Sequence, residues 1–331
     1  MKGFSDRWHD VPDFILGITK EIWENRGITE LKHYYSSEIP VRTPGGIYFG
    51  NQSTIESTLS TLAEFPDRQL LGEDVIWSGD ANKGFLSSHR ILTMGTHTGN
   101  GYFGTPTGKR FIVRAIADCS AINNQINDEW LIRDNAGIVK QLGMSPKEFA
   151  QGLIEREGGP HQCIKPFEPS LDVEGPYKYK GNKNKWGEKL AKILQQIMQK
   201  DYSIIQQEYD RAVQTEHPGA ITVHSWSETE ALWMGLRASF PNAKFTIEHQ
   251  IGREDKLLSP RAAIRWSLSG RHEGWGMFNN PTGADVYIMG VTHAEFGPHG
   301  LRREYTLFDP VAIWKQIFMQ TECERKPYGP N

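Results

Sequence analysis

The sequence predicts an α+β protein in which one unit is built twice, each copy a set of helices packed on a curved antiparallel sheet. Three observations lead there. A pattern G-x-H-x-G-x-G-x-F-x-x-P-T-G starts at Gly95 and returns at Gly270, 175 positions on. The same shift of 175 carries Phe65-Pro66 onto Phe240-Pro241, Glu73 onto Glu248, Arg90 onto Arg265, Glu129 onto Glu304 and Asp134 onto Asp309. In each copy helical periodicity comes first and strand alternation follows, with short Gly/Pro turns between strands, the order of an antiparallel sheet carrying its helices on one face. A repeat this long indicates two domains rather than a solenoid. They are expected over residues 1–154 and 186–320, joined by a connection at 155–185.

In the first copy, Phe14, Ile15, Ile18 and Ile22 fall at helical spacing within Asp13 to Asn25. The counterpart is Leu190, Ile193, Leu194, Ile197 and Met198, a single apolar stripe. A Tyr-containing stretch follows in each half (His33-Tyr34-Tyr35; Glu208-Tyr209), then a turn at Pro44-Gly45-Gly46 or Pro218-Gly219. Ser53-x-x-Glu56 and Ser227-x-x-Glu230 read as capping boxes opening a second helix, which ends at Phe-Pro because proline cannot continue it.

Alternation then predicts strands over Gln69 to Trp77, His89 to His97, Arg110 to Asp118 and Gln125 to Arg133. Their counterparts are Lys244 to Ile251, Ala262 to Arg271, Val286 to Glu295 and Leu301 to Leu307. The glycine motif falls between the second and third strands, where glycine permits positive φ or close backbone approach. Ser145-Pro146-Lys147-Glu148 opens a further short helix with proline at its first position. The connection is rich in Gly, Pro, Lys and Tyr without a period and is expected to lie over the surface. The tail after Thr321 reads as a solvated end.

The 331 residues carry a formal charge of −3 and no long basic block, which argues against a nucleic-acid partner. No window is apolar enough to span a membrane, and the opening MKGFSDRWHD lacks the apolar core of a signal peptide, so a cytoplasmic protein is expected. Cys119, Cys163 and Cys323 are odd in number and unpaired in spacing, and read as reduced thiols. His293-Ala294-Glu295 with His299 is no complete metal set, and no H-E-x-x-H occurs, so no metal is expected. A dinucleotide loop would need a helix after its glycines; here a strand follows. There is no G-x-S-x-G elbow or Cys/His pairing.

The run from Gly95 to Lys109, then Ile126-Asn127-Asp128-Glu129-Trp130 and Gln141-Leu142-Gly143, resembles the SnoaL-like polyketide (ester) cyclase family, a branch of the cystatin-like fold shared with nuclear transport factor two. The resemblance covers both halves, about Asp13 to Gly143 and Lys189 to Ile317. It implies two tandem cone-shaped domains, each with helices curled round a bent sheet and an apolar pocket inside. It also implies cofactor-free ring closure in which a carboxylate serves as acid/base. The family's His-Trp-Asp triplet on the last long strand maps onto Glu129-Trp130-Leu131 and Glu304-Tyr305-Thr306, so the family's Asp is Leu131 or Thr306 here and its His is a glutamate.

The candidate catalytic residues are therefore Glu129 and His97 in the first half and Glu304 and His272 in the second; Arg90, Arg265, Trp130, Tyr305, Asp134 and Asp309 are the candidate pocket residues. Each has a plainer role beside it. The histidines can brace the glycine turn, the glutamates can pair with Arg90 or Arg265, and the aspartates can cap the last helix. Arg90, Arg114, Arg133 and Arg265 can also bind a carboxylate or phosphate. Two functions are carried forward. One is a binder of a small apolar or polyketide-like molecule doing cyclisation, isomerisation or hydration without cofactor; the other is a catalytically inactive binding or scaffold protein that has lost the family Asp. In a third arrangement one half works and the other completes an interface. Family domains pair through their sheets, so the duplication is expected to form an internal pseudo-dimer, with further homodimerisation open.

Overall fold

The computed structural model of the chain describes residues 1–324; from Arg325 on, the expected solvated tail lies outside the described residues. The eight expected strands all form. They are β3 (Gln69–Asp80), β4 (Gly84–Thr96), β5 (Arg110–Ile122) and β6 (Gln125–Arg133), then β9 (Lys244–Arg253), β10 (Arg261–Arg271), β11 (Asp285–Gly297) and β12 (Gly300–Leu307). Each half adds a short hairpin, β1 (Pro40–Thr43) with β2 (Gly46–Phe49) and β7 (Tyr209–His217) with β8 (Ile221–His224). The two six-stranded sheets run β2-β1-β6-β5-β4-β3 and β8-β7-β12-β11-β10-β9. β1 lies parallel to β6 and β7 parallel to β12, which corrects the purely antiparallel expectation to a mixed sheet. Both hairpins turn at the expected Pro/Gly sites.

The helices before and beside the sheets are α1 (Val11–Thr19), α2 (Leu31–Tyr34), α3 (Gly50–Glu64), α4 (Asn135–Gln141), α5 (Pro146–Arg156), α6 (Lys185–Met198), α7 (Ser203–Glu208), α8 (Trp226–Ser239) and α9 (Pro310–Glu324). α1 carries its apolar stripe into π-helical turns at Lys20–Glu24, and buries Phe14, Ile15, Ile18 and Ile22. Neither capping box forms. Gly50, at φ 83°, turns the chain out of β2 so that α3 starts there and Ser53 lies inside it. α8 begins at Trp226, and Glu228 takes the His224 amide at 3.0 Å.

Alternation along β5 and β6 divides the residues between two buried faces. Ile116, Asp118, Trp130 and Ile132 face the other sheet, while Ala115, Ala117, Cys119, Glu129, Leu131 and Arg133 face inward under α1 and α3. Between the sheets, Ile116 and Ile132 pack with Met289, Val291 and Leu307, and Ile76 and Leu86 pack with Ile251 and Ala263. Charge pairs close the same contact. Asp118 accepts from Arg265 Nε at 3.0 Å and from Ser88 Oγ at 2.5 Å, and Ser88 Oγ lies 2.7 Å from His293 Nε2. Arg90 joins Glu73 and Glu295 at 3.1 and 3.0 Å, and Arg261 pairs with Asp74.

The connection is strapped across both sheets. Arg42 binds Asp172 and the Val173 carbonyl, the Tyr177 amide donates to Asp128 at 3.1 Å, and Gly181 bridges to Gln250.

Removing one member of a buried ion pair leaves the other charge without a partner. Asp118→Ala is therefore expected to lower stability by about 3–5 kcal/mol in urea unfolding, and Asp118→Leu with Arg265→Met to recover most of that loss.

Candidate functional site

The first half is hollow. An inner chamber of about 80 Å³ opens between α1, α3 and the concave face of β3 to β6. An outer vestibule of about 620 Å³ adjoins it, sharing Tyr48, Ser57, Thr61, Leu131 and Arg133 as common wall. The chamber persists where small residues face it: Ala115, Ala117 and Cys119 on β5 and Thr54, Ser57 and Thr58 on α3.

Glu129 lies on the chamber wall, 6% exposed. No arginine reaches it, so the ion-pair alternative does not form. Burial pushes its carboxyl up to about 7, with the Tyr35 hydroxyl as the hydrogen-bonding neighbour that favours the charged form and limits the rise. His89, also on the wall, is driven down to about 4 by burial and the neighbouring Arg90 guanidinium, and its Nε2 has no partner. Arg68 and Arg133 complete the polar lining.

His97 and Glu129 do not share a wall. His97 is fully buried and lines neither space. Its backbone pairs with Lys109 and Gly108 across the glycine loop, and its Nδ1 sits 3.2 Å from Thr107 Oγ1. Its Nε2 is 3.3 Å from Glu64 Oε1 without hydrogen-bond alignment. His272 repeats this, with Thr282 at 3.1 Å. Both histidines brace the loop.

Arg90, Arg265, Trp130 and Tyr305, expected on the pocket wall, are on the opposite face of their strands. The Arg90 guanidinium lies 3.6 Å over the Tyr305 ring and Arg265 lies 3.7 Å over Trp130, two equivalent stacks between the sheets. Trp130 and Arg265 border only a separate cleft of about 310 Å³ beneath the strap.

Asp134 caps α4 through the Gly137 amide at 2.9 Å and also takes the Gly219 and Ala220 amides at 2.8 and 2.7 Å, clasping the β7–β8 turn. Asp309 has no such clasp. It accepts from Asn135 at 2.7 Å and Val311 at 2.9 Å, its carboxyl is raised to about 6 by burial, and it lines the vestibule opposite Pro44 and Gly45. The vestibule is thus the place where the second clasp is missing. Its mouth is completed by Val311, Ala312 and Lys315 of α9, and Lys315 is held by Glu157 at 2.6 Å.

The second half has the same frame with its interior filled. Under the repeat, Thr58 becomes Trp233, Ile91 becomes Trp266 and Arg133 becomes Phe308, all three fully buried. Gly290 stands where Ala115 does, and a Cβ there would lie 2.2 Å from the Trp266 ring. Glu304 is enclosed, accepting from Tyr209 at 2.6 Å and Thr306 at 2.6 Å. The topology equates Tyr209 with Tyr35, since each bridges to the equivalent strand, at Leu301 and Ile126.

Among the described residues, no group of three or more His, Cys, Asp or Glu is placed to hold a metal ion, and no helix is long and apolar enough to cross a membrane. Cys119 is a buried free thiol, and Cys163 is buried with its Sγ 3.8 Å from the Pro160 carbonyl oxygen; the Cys323 side chain lies outside the described residues.

A cone-shaped α+β body with a hollow interior is the class this geometry defines. Residues 14–142 match the family model described as SnoaL-like polyketide cyclase, and the second half repeats the strand order of the first. Similar solved structures include IdmH from Streptomyces antibioticus, at 22% identity, covering 41% of this chain and 100% of that one, with a TM-score of 0.36. Another is a SnoaL-like polyketide cyclase from Agrobacterium tumefaciens, at 20% identity, 41% and 99% coverage and a TM-score of 0.32. TsrD from Streptomyces laurentii is a third, at 12% identity, 41% and 98% coverage and a TM-score of 0.34. No curated protein matches the chain.

Sequence reasoning passed over Tyr35 and Arg68 as site residues, though the paired tyrosine stretches and the arginine just after Phe65-Pro66 were visible. Two outcomes follow from the geometry. Tyr35→Phe removes a donor to the charged form of Glu129, so the titration midpoint should climb above about 7, read by NMR of carboxyl-labelled glutamate. Glu129 also binds its proton more tightly folded than unfolded, so its cost to stability grows as pH rises from 4.5 to about 7. Glu129→Gln should therefore gain on the parent across that window, by up to about 3 kcal/mol in urea titrations.

Proposed function

We propose that the first domain binds a small, largely apolar or polyketide-like molecule in the vestibule and chamber, and that Glu129 performs cofactor-free acid/base chemistry on it. The observation that carries this is a carboxyl group poised near neutrality on the wall of a hollow that ordinary core residues would have filled. A base with a midpoint near working pH is both present in its basic form and strong enough to take a proton. The step would move a proton from a carbon beside a carbonyl onto a Glu129 oxygen, with the C–H electron pair passing into the carbonyl to give an enolate. That enolate is the species a cyclisation or isomerisation requires.

The family resemblance supports the substrate class. Leu131, where the family has Asp, means that Glu129 rather than its second neighbour would carry the proton, from one strand position away on the same face.

For the second domain the inactive reading is favoured, because Trp233, Trp266 and Phe308 occupy the space a ligand would need. We propose that this half serves as a scaffold. Its sheet supplies the contact that a second copy would otherwise provide, and its α9 supplies one side of the vestibule mouth.

Deuterium uptake at the central carbon of benzoylacetone, followed by NMR in D2O, tests the assignment. The parent should accelerate exchange with a rising limb centred near pH 7, and Glu129→Gln should lose about 100-fold or more. Glu304→Gln should exchange like the parent. Undiminished exchange in a folded Glu129→Gln protein would falsify the reading.

A further inference from the structure

We infer that the ligand of the first domain is a small organic acid, an apolar body bearing a carboxylate, and that Arg68 and Arg133 hold the carboxylate. The inference deepens the function proposed above and rests on it.

Apart from Arg68, the buried arginines among the described residues are occupied. Arg42 pairs with Asp128, Arg90 with Glu73 and Glu295, Arg261 with Asp74 and Arg265 with Asp118, while Arg237 donates to two backbone carbonyls. Arg68 and Arg133 are exceptions. Arg68 is 6% exposed, and the one hydrogen bond its guanidinium makes among the described residues goes from Nε to the neutral Thr93 hydroxyl at 3.3 Å. The Arg133 side chain makes no hydrogen bond or ion pair among the described residues, and its Nε is buried without an acceptor. Both line the chamber, and Arg133 stands on the wall shared with the vestibule.

Two guanidinium groups thus share the chamber lining with one carboxyl, Glu129, and neither reaches it. Glu64 and Asp309, the acids nearest Arg133 from the vestibule side, act on it only beyond ion-pair distance. Burial and mutual repulsion hold the Arg68 proton less tightly than usual, as expected for a cation without a counterion. An uncompensated buried charge is costly and a charge-assisted bond to a carboxylate relieves it, with guanidinium geometry matched to two oxygens.

The second domain supplies the internal comparison. Where the hollow is filled, the positions of Arg68 and Arg133 are Ala243 and Phe308, so both cations disappear together with the cavity. A role in holding the cone together would have kept them in both halves. The sizes also fit an acid with a larger body: about 80 Å³ takes a carboxylate and its first carbons, and about 620 Å³, walled by Phe65, Phe103, Leu131 and Leu153, takes the rest.

Calorimetric titration of the whole chain with 2-naphthoate and with its neutral isostere 2-naphthamide, at about pH 6 where Glu129 is mostly protonated, decides the matter. The parent should bind the acid at least about tenfold more tightly than the amide, and Arg68→Gln or Arg133→Gln should bring the two within about threefold. Without ligand, Arg68→Met and Arg133→Met should melt no lower than the parent, since each removes an unpaired charge. Equal affinity for acid and amide, or variants that keep the preference, would overturn the inference and leave the ligand-binding reading of the cleft standing. Binding of neither compound would remove both, and a marked fall in melting temperature for both Met variants would assign the arginines to structure instead.

Discussion

The two-residue period of the strands, imposed on a sheet that is buried on both sides, is the constraint from which the rest of the molecule follows. On β4 to β6 and β10 to β12, one set of side chains must satisfy a flat contact with the other sheet, and the next set must satisfy the inside of a cone. The flat contact is tightly specified. Its arginines stack on aromatic rings and close against carboxylates, so a shift of one residue would exchange Trp130 for Glu129 and strip Arg265 of its ring partner. The cone interior is specified differently in the two halves, hollow in the first and filled in the second.

The filled half shows how few side chains close such an interior. Trp233 and Trp266 enter from α8 and β10, Gly290 makes room for the second, and Glu304 is enclosed with its tyrosine and threonine donors. The same glutamate on the same strand lines a hollow in one copy and is an enclosed hydrogen-bond acceptor in the other. Environment, rather than residue identity, sets the role. The hairpin turn of the second half is held by Asp134, whereas Asp309 leaves its counterpart unclasped, and the entrance is found at that vacancy.

The duplication, the eight long strands and the amphipathic first helices were legible because each rests on a period or on a repeated motif. The hairpins β1–β2 and β7–β8 were missed as strands: β1, β2 and β8 are four-residue segments too short to show alternation, and the nine-residue β7 mixes polar residues such as Asp210, Arg211 and Gln214 into its run; their Pro/Gly turns were the available signal. Which face of each long strand looks into the cone was not legible. Alternation separates buried from solvated faces, and here both are buried and both carry charge, so Arg90 and Trp130 were indistinguishable in kind from Arg133 and Glu129. Glu129 was found because a resemblance marked its strand position. His97 was singled out by the glycine motif, which turns out to describe a loop brace.

Fusing the two units through the strap at 155–185 has a genetic consequence. In an assembly of identical copies every substitution is made twice across the symmetry axis, so any change that empties or fills one interior does the same to its mate. A single chain carrying both halves escapes that coupling: one interior can drift toward maximal packing while the other keeps a charged hollow, and the filled half can bear the instability of the hollow one.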